Sequence, residues 1–264
     1  MKFIIRFICM FIPVKSLRQR TRSALNNHWK KQRDKASKFL RSVMPGRKKF
    51  DLIVPIGDRC QISFQMRQNN LQFKSYPFDW LLNGSLDALI TLLNNDFAHF
   101  LDRQDMEPVE RRPVNLVVKN NHTGYWHLHD FECDTIDEDY QSVYEKYIRR
   151  FARFDRHVSN AKTVLFVYRN DSVRPDDIRK LIAVLKKRYP CTKITLLWIT
   201  ANTEKQTITP VFHGDGIIHT EFDCDTFYGE WETSKWEGNW NLYKKLFNKY
   251  ALTLRGYFAE NTKE

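Results

Sequence analysis

Glycine and proline are scarce, nine of each in 264 residues, and with hydrophobic residues at 42% and aromatics at 14% this excludes collagen-like, low-complexity and wholly disordered chains. Cysteine is also sparse. The five, at 9, 60, 133, 191 and 224, are odd in number and without close pairs, which argues against a secreted disulfide framework. P-loop, GxGxxG, HExxH and GxSxG patterns are all missing, so nucleotide hydrolysis, dinucleotide redox chemistry and zincin chemistry lack their signatures. CxxC and HxxxH spacings are missing too. His122, His127 and His129 sit close in sequence but have no fixed fourth ligand, so the reading includes no metal and no cofactor.

Long apolar runs are absent as well. Met1 to Val14 (MKFIIRFICMFIPV) is broken by Lys2 and Arg6 and falls short of the roughly 20 apolar residues a spanning helix needs. Pro13 to Ser16 offers no small-residue cleavage site. Acid is what residues 1–49 lack: they hold 15 of the 43 Lys and Arg and one acid, Asp34, a net of +14. The other 215 residues therefore carry −2 of the total +12, and the basic charge belongs to a tail rather than to a nucleic-acid face on the domain. Such a segment either lies on an anionic leaflet, where each nearby Lys or Arg adds about 1 kcal/mol, or docks on the domain. Trp29, Phe39 and Leu40 among dispersed cations predict a solvated basic helix over 23–49, ended by Pro45-Gly46. A cytoplasmic protein, peripheral at the inner face of a membrane, is the expectation.

Beyond residue 50 apolar periodicity takes over. Asp51 to Ile56 reads as a strand, Gly57 as a tight turn, and Gln61 to Arg67 as a helix. Ser85 is placed to cap Leu86 to Asn94; Val114 to Val118 is an apolar run; Ile136 to Val158 is amphipathic over its whole length. Strand and helix then alternate through Thr163 to Tyr168, Asp176 to Arg188, Lys193 to Ile199 and Gly216 to Thr220, with a closing helix from Trp236 to Phe258. This pattern predicts an α/β fold, one layered domain over 50–260 with a mostly parallel, Rossmann-like sheet.

In open parallel sheets the crevice lies at the carboxyl ends of the strands, where Gly57-Asp58-Arg59-Cys60-Gln61 falls. A thiol at a helix N-terminus faces unpaired N–H groups and the positive end of the dipole, which favours its thiolate; a buried packing cysteine is the competing reading. Thr123 to Phe131 is a second dense segment, and alternation along an extended strand places Trp126, Leu128 and Asp130 on one face and His127 and His129 on the other. A histidine can serve as base for Cys60, and a carboxylate can orient it. Asp130 is awkward as that orienter, so either the strand ends there or Asp79 or Asp58 does the work. Tyr76-Pro-Phe-Asp-Trp80 is a packed corner whose carboxylate, Asp79, needs partners; Arg149, Arg150 and Arg153 can supply them or hold an anionic substrate group.

Gly57 to Cys60, Met66-Arg67, Ser75 to Trp80, His129 to Phe131 and Arg149 to Phe154, in this order, resemble a bacterial family of unknown function described as papain-like cysteine peptidases. The resemblance covers roughly 50–170 and implies Cys60 as nucleophile and His129 as base. The strand, turn, Cys, helix order is also similar to SGNH hydrolases and acyltransferases with Cys where Ser would stand, and Gly57-Asp-Arg-Cys-Gln61 is similar to the Gly-Asn-Cys-Gln start of certain polysaccharide-biosynthesis proteins. The expected function is a cysteine hydrolase acting by acyl transfer on a peptide, ester or glycan substrate. Cys60, His129, Asp79 and Asp130 are its candidate catalytic groups, and Asp58, Arg59, Gln61, Arg149 and Arg153 its candidate substrate contacts. The alternatives are a transferase of surface-polysaccharide assembly and a membrane-surface binding module.

Overall fold

A short strand β1 (Lys48–Phe50) leads into β2 (Leu52–Pro55), whose four residues are all buried. This is a computed structural model describing residues 21, 23–25, 43, 45–57, 59–226 and 236–261. The chain divides into two compact units, Met1–Pro45 and Gly46–Glu264. The expectations for 1–20 and most of 23–49, and for Asp58, lie outside the described residues. Among the described residues no helix is long and apolar enough to cross a membrane.

After β2 come α1 (Cys60–Gln68), β3 (Leu81–Leu82) and α2 (Leu86–Asn94), the last capped by the Ser85 hydroxyl accepting from Ala88 N–H. Strands β4 (Met106–Arg111), β5 (Leu116–Asn120) and β6 (Trp126–Phe131) precede α3 (Ile136–Asn160). The second half alternates β7 (Thr163–Arg169), α4 (Pro175–Arg188), β8 (Lys193–Ala201), β9 (Thr209–Gly214) and β10 (Ile217–Phe222). It closes with α5 (Trp240–Phe247), β11 (Tyr250–Leu252) and α6 (Leu254–Asn261).

The main sheet has the order β2-β7-β8-β10-β9, parallel except for its last pair. Its residues alternate between two cores. Leu52, Val54, Val164, Phe166 and Tyr168 pack in the layer of α3 and α4, and Ile53, Leu165 and Val167 in that of α1 and α5. Burial on both faces explains why β2 and β7 read as unbroken apolar runs.

The expectation of one mostly parallel sheet is corrected by a second, wholly antiparallel sheet, β3-β6-β5-β4, and by the small parallel pair β1-β11. The fold is mixed α/β with several sheets. The predicted closing helix is also broken, because Tyr250–Leu252 is extended, fully buried and paired to β1.

Candidate active site

Cys60 opens α1 at the carboxyl end of β2. Arg59 before it is extended (φ −138°, ψ 127°) and its side chain makes no capping bond, so the first-turn N–H groups gain none from it. The turn lies hard against β7: Ile56 N–H donates to Val167 O at 3.0 Å, and a Cβ on Gly57 would come within 3.3 Å of Arg169 N. Glycine is the residue that lets the turn sit this close.

Cys60 is 8% exposed and borders a cavity of about 990 Å³. From the α1 side Arg59, Gln61 and Phe64 line it, with Asp225 beyond β10 and Trp236. Trp80 and Leu82, around β3, and Leu128 and His129, on β6, form the opposite wall. Leu128 and Val117 also pack with Cys60 in a small apolar cluster of their own. The site thus lies where the main sheet's carboxyl edge meets the antiparallel sheet.

His129 reaches this cavity through an irregularity in β6. Between the pairs Leu116–Phe131 and Val118–His127, one residue of β5, Val117, stands opposite three of β6, so Leu128 to Asp130 bulge. Regular alternation would put His127 and His129 on one face, and the bulge separates them. Leu128 and His129 line the cavity, whereas His127 and Asp130 are buried together, Nδ1 of His127 standing 2.9 Å from the Asp130 carboxylate.

Asp130 therefore does not orient His129. Its carboxylate takes His127, the Tyr147 hydroxyl at 2.7 Å and Lys146 Nζ at 2.8 Å. Burial pushes its pKa up, but the hydrogen bond and charge of His127 and then Lys146 prevail and hold the carboxyl well below its usual range. Trp80 packs edge-on to the His129 ring at 6.1 Å between centroids. Partial burial, with the Arg112 charge adding to it, lowers the His129 pKa below the ordinary 6.5 against the opposing pull of Asp130, which favours a neutral imidazole at neutral pH.

Asp79 does not reach His129 either. It is fully buried and accepts from Arg67 Nη2 at 2.8 Å, from Gln72 Nε2 at 2.7 Å and from Tyr76 N–H at 3.1 Å, which makes it the clasp of the Tyr76 to Trp80 corner. Of the arginines expected there, Arg153 donates to the Ser75 carbonyl beside the corner, and Arg149 is 65% exposed beside Glu145. It is Arg150, one residue from the expected contact, that borders the cavity, joined by Arg112.

Gln61 borders the cavity with its amide already engaged. Its oxygen accepts from buried Arg169 and from the Tyr243 hydroxyl (2.7 Å), and its nitrogen donates to the Trp236 carbonyl (3.1 Å). Arg169 also grips Asp225 with both terminal nitrogens, at 3.0 and 2.7 Å, and reaches Asp171, while Arg59 stands 3.7 Å from Asp171. This network ties the first turn of α1 to the ends of β7 and β10. Arg150 lies inside the Arg149 to Phe154 motif; Arg112, Arg169 and Asp225 carry no local motif, and for Arg169 the signal was its position at the carboxyl end of a parallel strand.

A thiol at a helix start and an imidazole bordering the same cavity define the class: a candidate cysteine-nucleophile site on an α/β scaffold. Residues 51–196, more than half of the chain, match the family described as "Putative papain-like cysteine peptidase (DUF1796)", and the chain belongs to that family. It is also similar to "Uncharacterized protein R408" of Acanthamoeba polyphaga mimivirus, 28% identical over 148 residues, which are 49% of this chain and 65% of that protein. The match thus spans 65% of the length of this curated relative. No solved structure matches the chain.

Proposed function

We propose that the protein is a cysteine-dependent acyl hydrolase in which Cys60 is the nucleophile and His129 the proton carrier. The observation that supports this is that both residues line one cavity, Cys60 as the first residue of α1 and His129 on the bulge of β6. In the first step the Cys60 thiol gives its proton to a ring nitrogen of His129 and the sulfur attacks the substrate carbonyl carbon. The oxyanion forms next to the first-turn N–H groups of α1, where preorganised donors act on developing charge. Collapse breaks the bond to the leaving oxygen or nitrogen, which takes the proton from His129 and leaves an acyl-Cys60 thioester. Water, deprotonated by His129, then attacks the thioester; the acid departs and Cys60 regains its proton. Neither Asp130 nor Asp79 has a part in these steps.

The test pairs alkylation with turnover. Iodoacetamide at pH 6, followed by peptide mass spectrometry, is expected to label Cys60 ahead of Cys133, Cys191 and Cys224. Hydrolysis of p-nitrophenyl acyl esters is expected to vanish in Cys60→Ala and to fall about 10²–10⁴-fold in His129→Asn, the usual contribution of a general base. Full activity of the Cys60→Ala protein on a substrate the wild type turns over would overturn the proposal. A second reading, transfer of the acyl group to a hydroxyl instead of water, is favoured by the guanidinium groups on the wall, which suit an anionic donor. It predicts ester product when a diol is added to the assay.

A further inference from the structure

The cavity walls join cation and hydrocarbon. Arg59, Arg112 and Arg150 border it, and among the described residues its one lining carboxylate, Asp225, is already held by Arg169. Arg150 is the least satisfied of the three. Its side chain is 14% exposed and stacks on the Tyr147 ring at 5.1 Å, yet its Nη1 is buried without a hydrogen-bond partner. The nearest carboxylate, Asp130, stands 3.9 Å from that nitrogen and already accepts from three other groups. A largely buried guanidinium that borders the cavity and is only loosely paired, 3.9 Å from its nearest carboxylate, is matched by an oxyanion, which it can take with two parallel bonds. Trp80, Leu82, Leu128, Phe64 and Trp236 supply the apolar remainder of the walls.

Building on the hydrolase reading, we propose that the cavity selects substrates whose acyl chain carries an oxyanion, a carboxylate or a phosphate, seated on Arg150 with Arg112 and Arg59 setting the surrounding positive field. The apolar walls take the chain between that anion and the carbonyl attacked by Cys60.

Two measurements on the full chain test this. Tryptophan emission of the wild type is titrated with hexanoate, hexyl phosphate and hexanamide, which share an apolar chain and differ in the head group. Either anion is expected to bind about tenfold tighter than the amide, the scale of one charged hydrogen bond, and the better of the two identifies the head group. Arg150→Gln is expected to remove the difference, and Arg112→Gln, on a more exposed side chain, to reduce it and to serve where the first variant does not fold. Equal binding of anion and amide by the wild type overturns the inference. Secondly, the rate of Cys60 alkylation by anionic iodoacetate relative to neutral iodoacetamide is compared with the same ratio at exposed Cys191. A ratio roughly tenfold higher at Cys60 is expected, the lower end of what a cleft of one sign does to approach rates. If Cys60 resists both reagents while hexanoate binds as expected, the nucleophile reading fails and the anion site stands; if Cys60 reacts without preference and anion and amide bind alike, the reverse holds.

Discussion

Nδ1 of His127 meets the carboxylate of Asp130 at 2.9 Å although the two are three residues apart on one strand, a spacing that a regular strand would place on opposite faces. The bulge at Leu128 to Asp130 makes the contact, and the same bulge turns His129 outward to the cavity. The buried pair and the cavity histidine are thus two consequences of one backbone irregularity.

Asp130→Asn is expected to destabilise the protein by about 3–5 kcal/mol, the cost of removing one member of a buried charged network. The sign with pH follows from the depressed pKa of Asp130: its stabilisation is complete above the ordinary carboxylate range and is lost as pH falls through the folded value. Urea unfolding of both proteins should show the gap intact at pH 7 and narrowing in acid. A gap that widened in acid would contradict an ionised Asp130.

Glu260 works in the opposite sense. It is buried, accepts from Phe73 and Lys74 N–H at 3.0 Å each and from the Tyr76 hydroxyl, and burial leaves its pKa above the ordinary value despite those donors. A raised folded pKa gives stability that is present below the unfolded value and lost as pH rises through the folded one. The wild type should therefore exceed Glu260→Gln in stability by more at pH 4 than at pH 8, measured in the same denaturant.

Gly238 has φ +71°, and a methyl group there would run into the Cys224 carbonyl and the Gln61 amide. Gly238→Ala should cost about 1 kcal/mol from backbone strain alone and more from the clash. Because Gln61 sits in the first turn of α1, slower alkylation of Cys60 should accompany the stability loss. An equally stable variant with unchanged Cys60 reactivity would separate that loop from the site.

The second half of the domain was legible because Thr163 to Ala201 follows simple periods: strands buried on both faces and an amphipathic helix that carries Pro175 in its first turn and Lys186 to Arg188 in its last. The antiparallel sheet was only half legible. Its edge strand β4 has five exposed residues of six and no alternation to read, and Tyr250–Leu252 is extended only because β1 pairs with it from about 200 residues away. In the site, Cys60 could be read from its place after a strand and His129 from its motif. The burial of Asp130 could not, since alternation assumes a ladder without extra residues. Arg150 could not be told from Arg149 and Arg153 either, because only packing decides which face of α3 meets a cavity.

The pH profile of the reaction depends on this packing. Partial burial and the Arg112 charge both lower the His129 pKa, so the acid limb of acyl-ester hydrolysis should lie below pH 6.5. Removing the cation in Arg112→Gln leaves burial in place but withdraws the repulsion, and the limb should move up toward the ordinary value. Glu110, which pairs with Arg112 at 2.9 Å, partly neutralises it, so Glu110→Gln should strengthen the repulsion and move the limb down. Opposite displacements in the two variants would tie the limb to His129; a limb that ignored both would place the titrating base elsewhere.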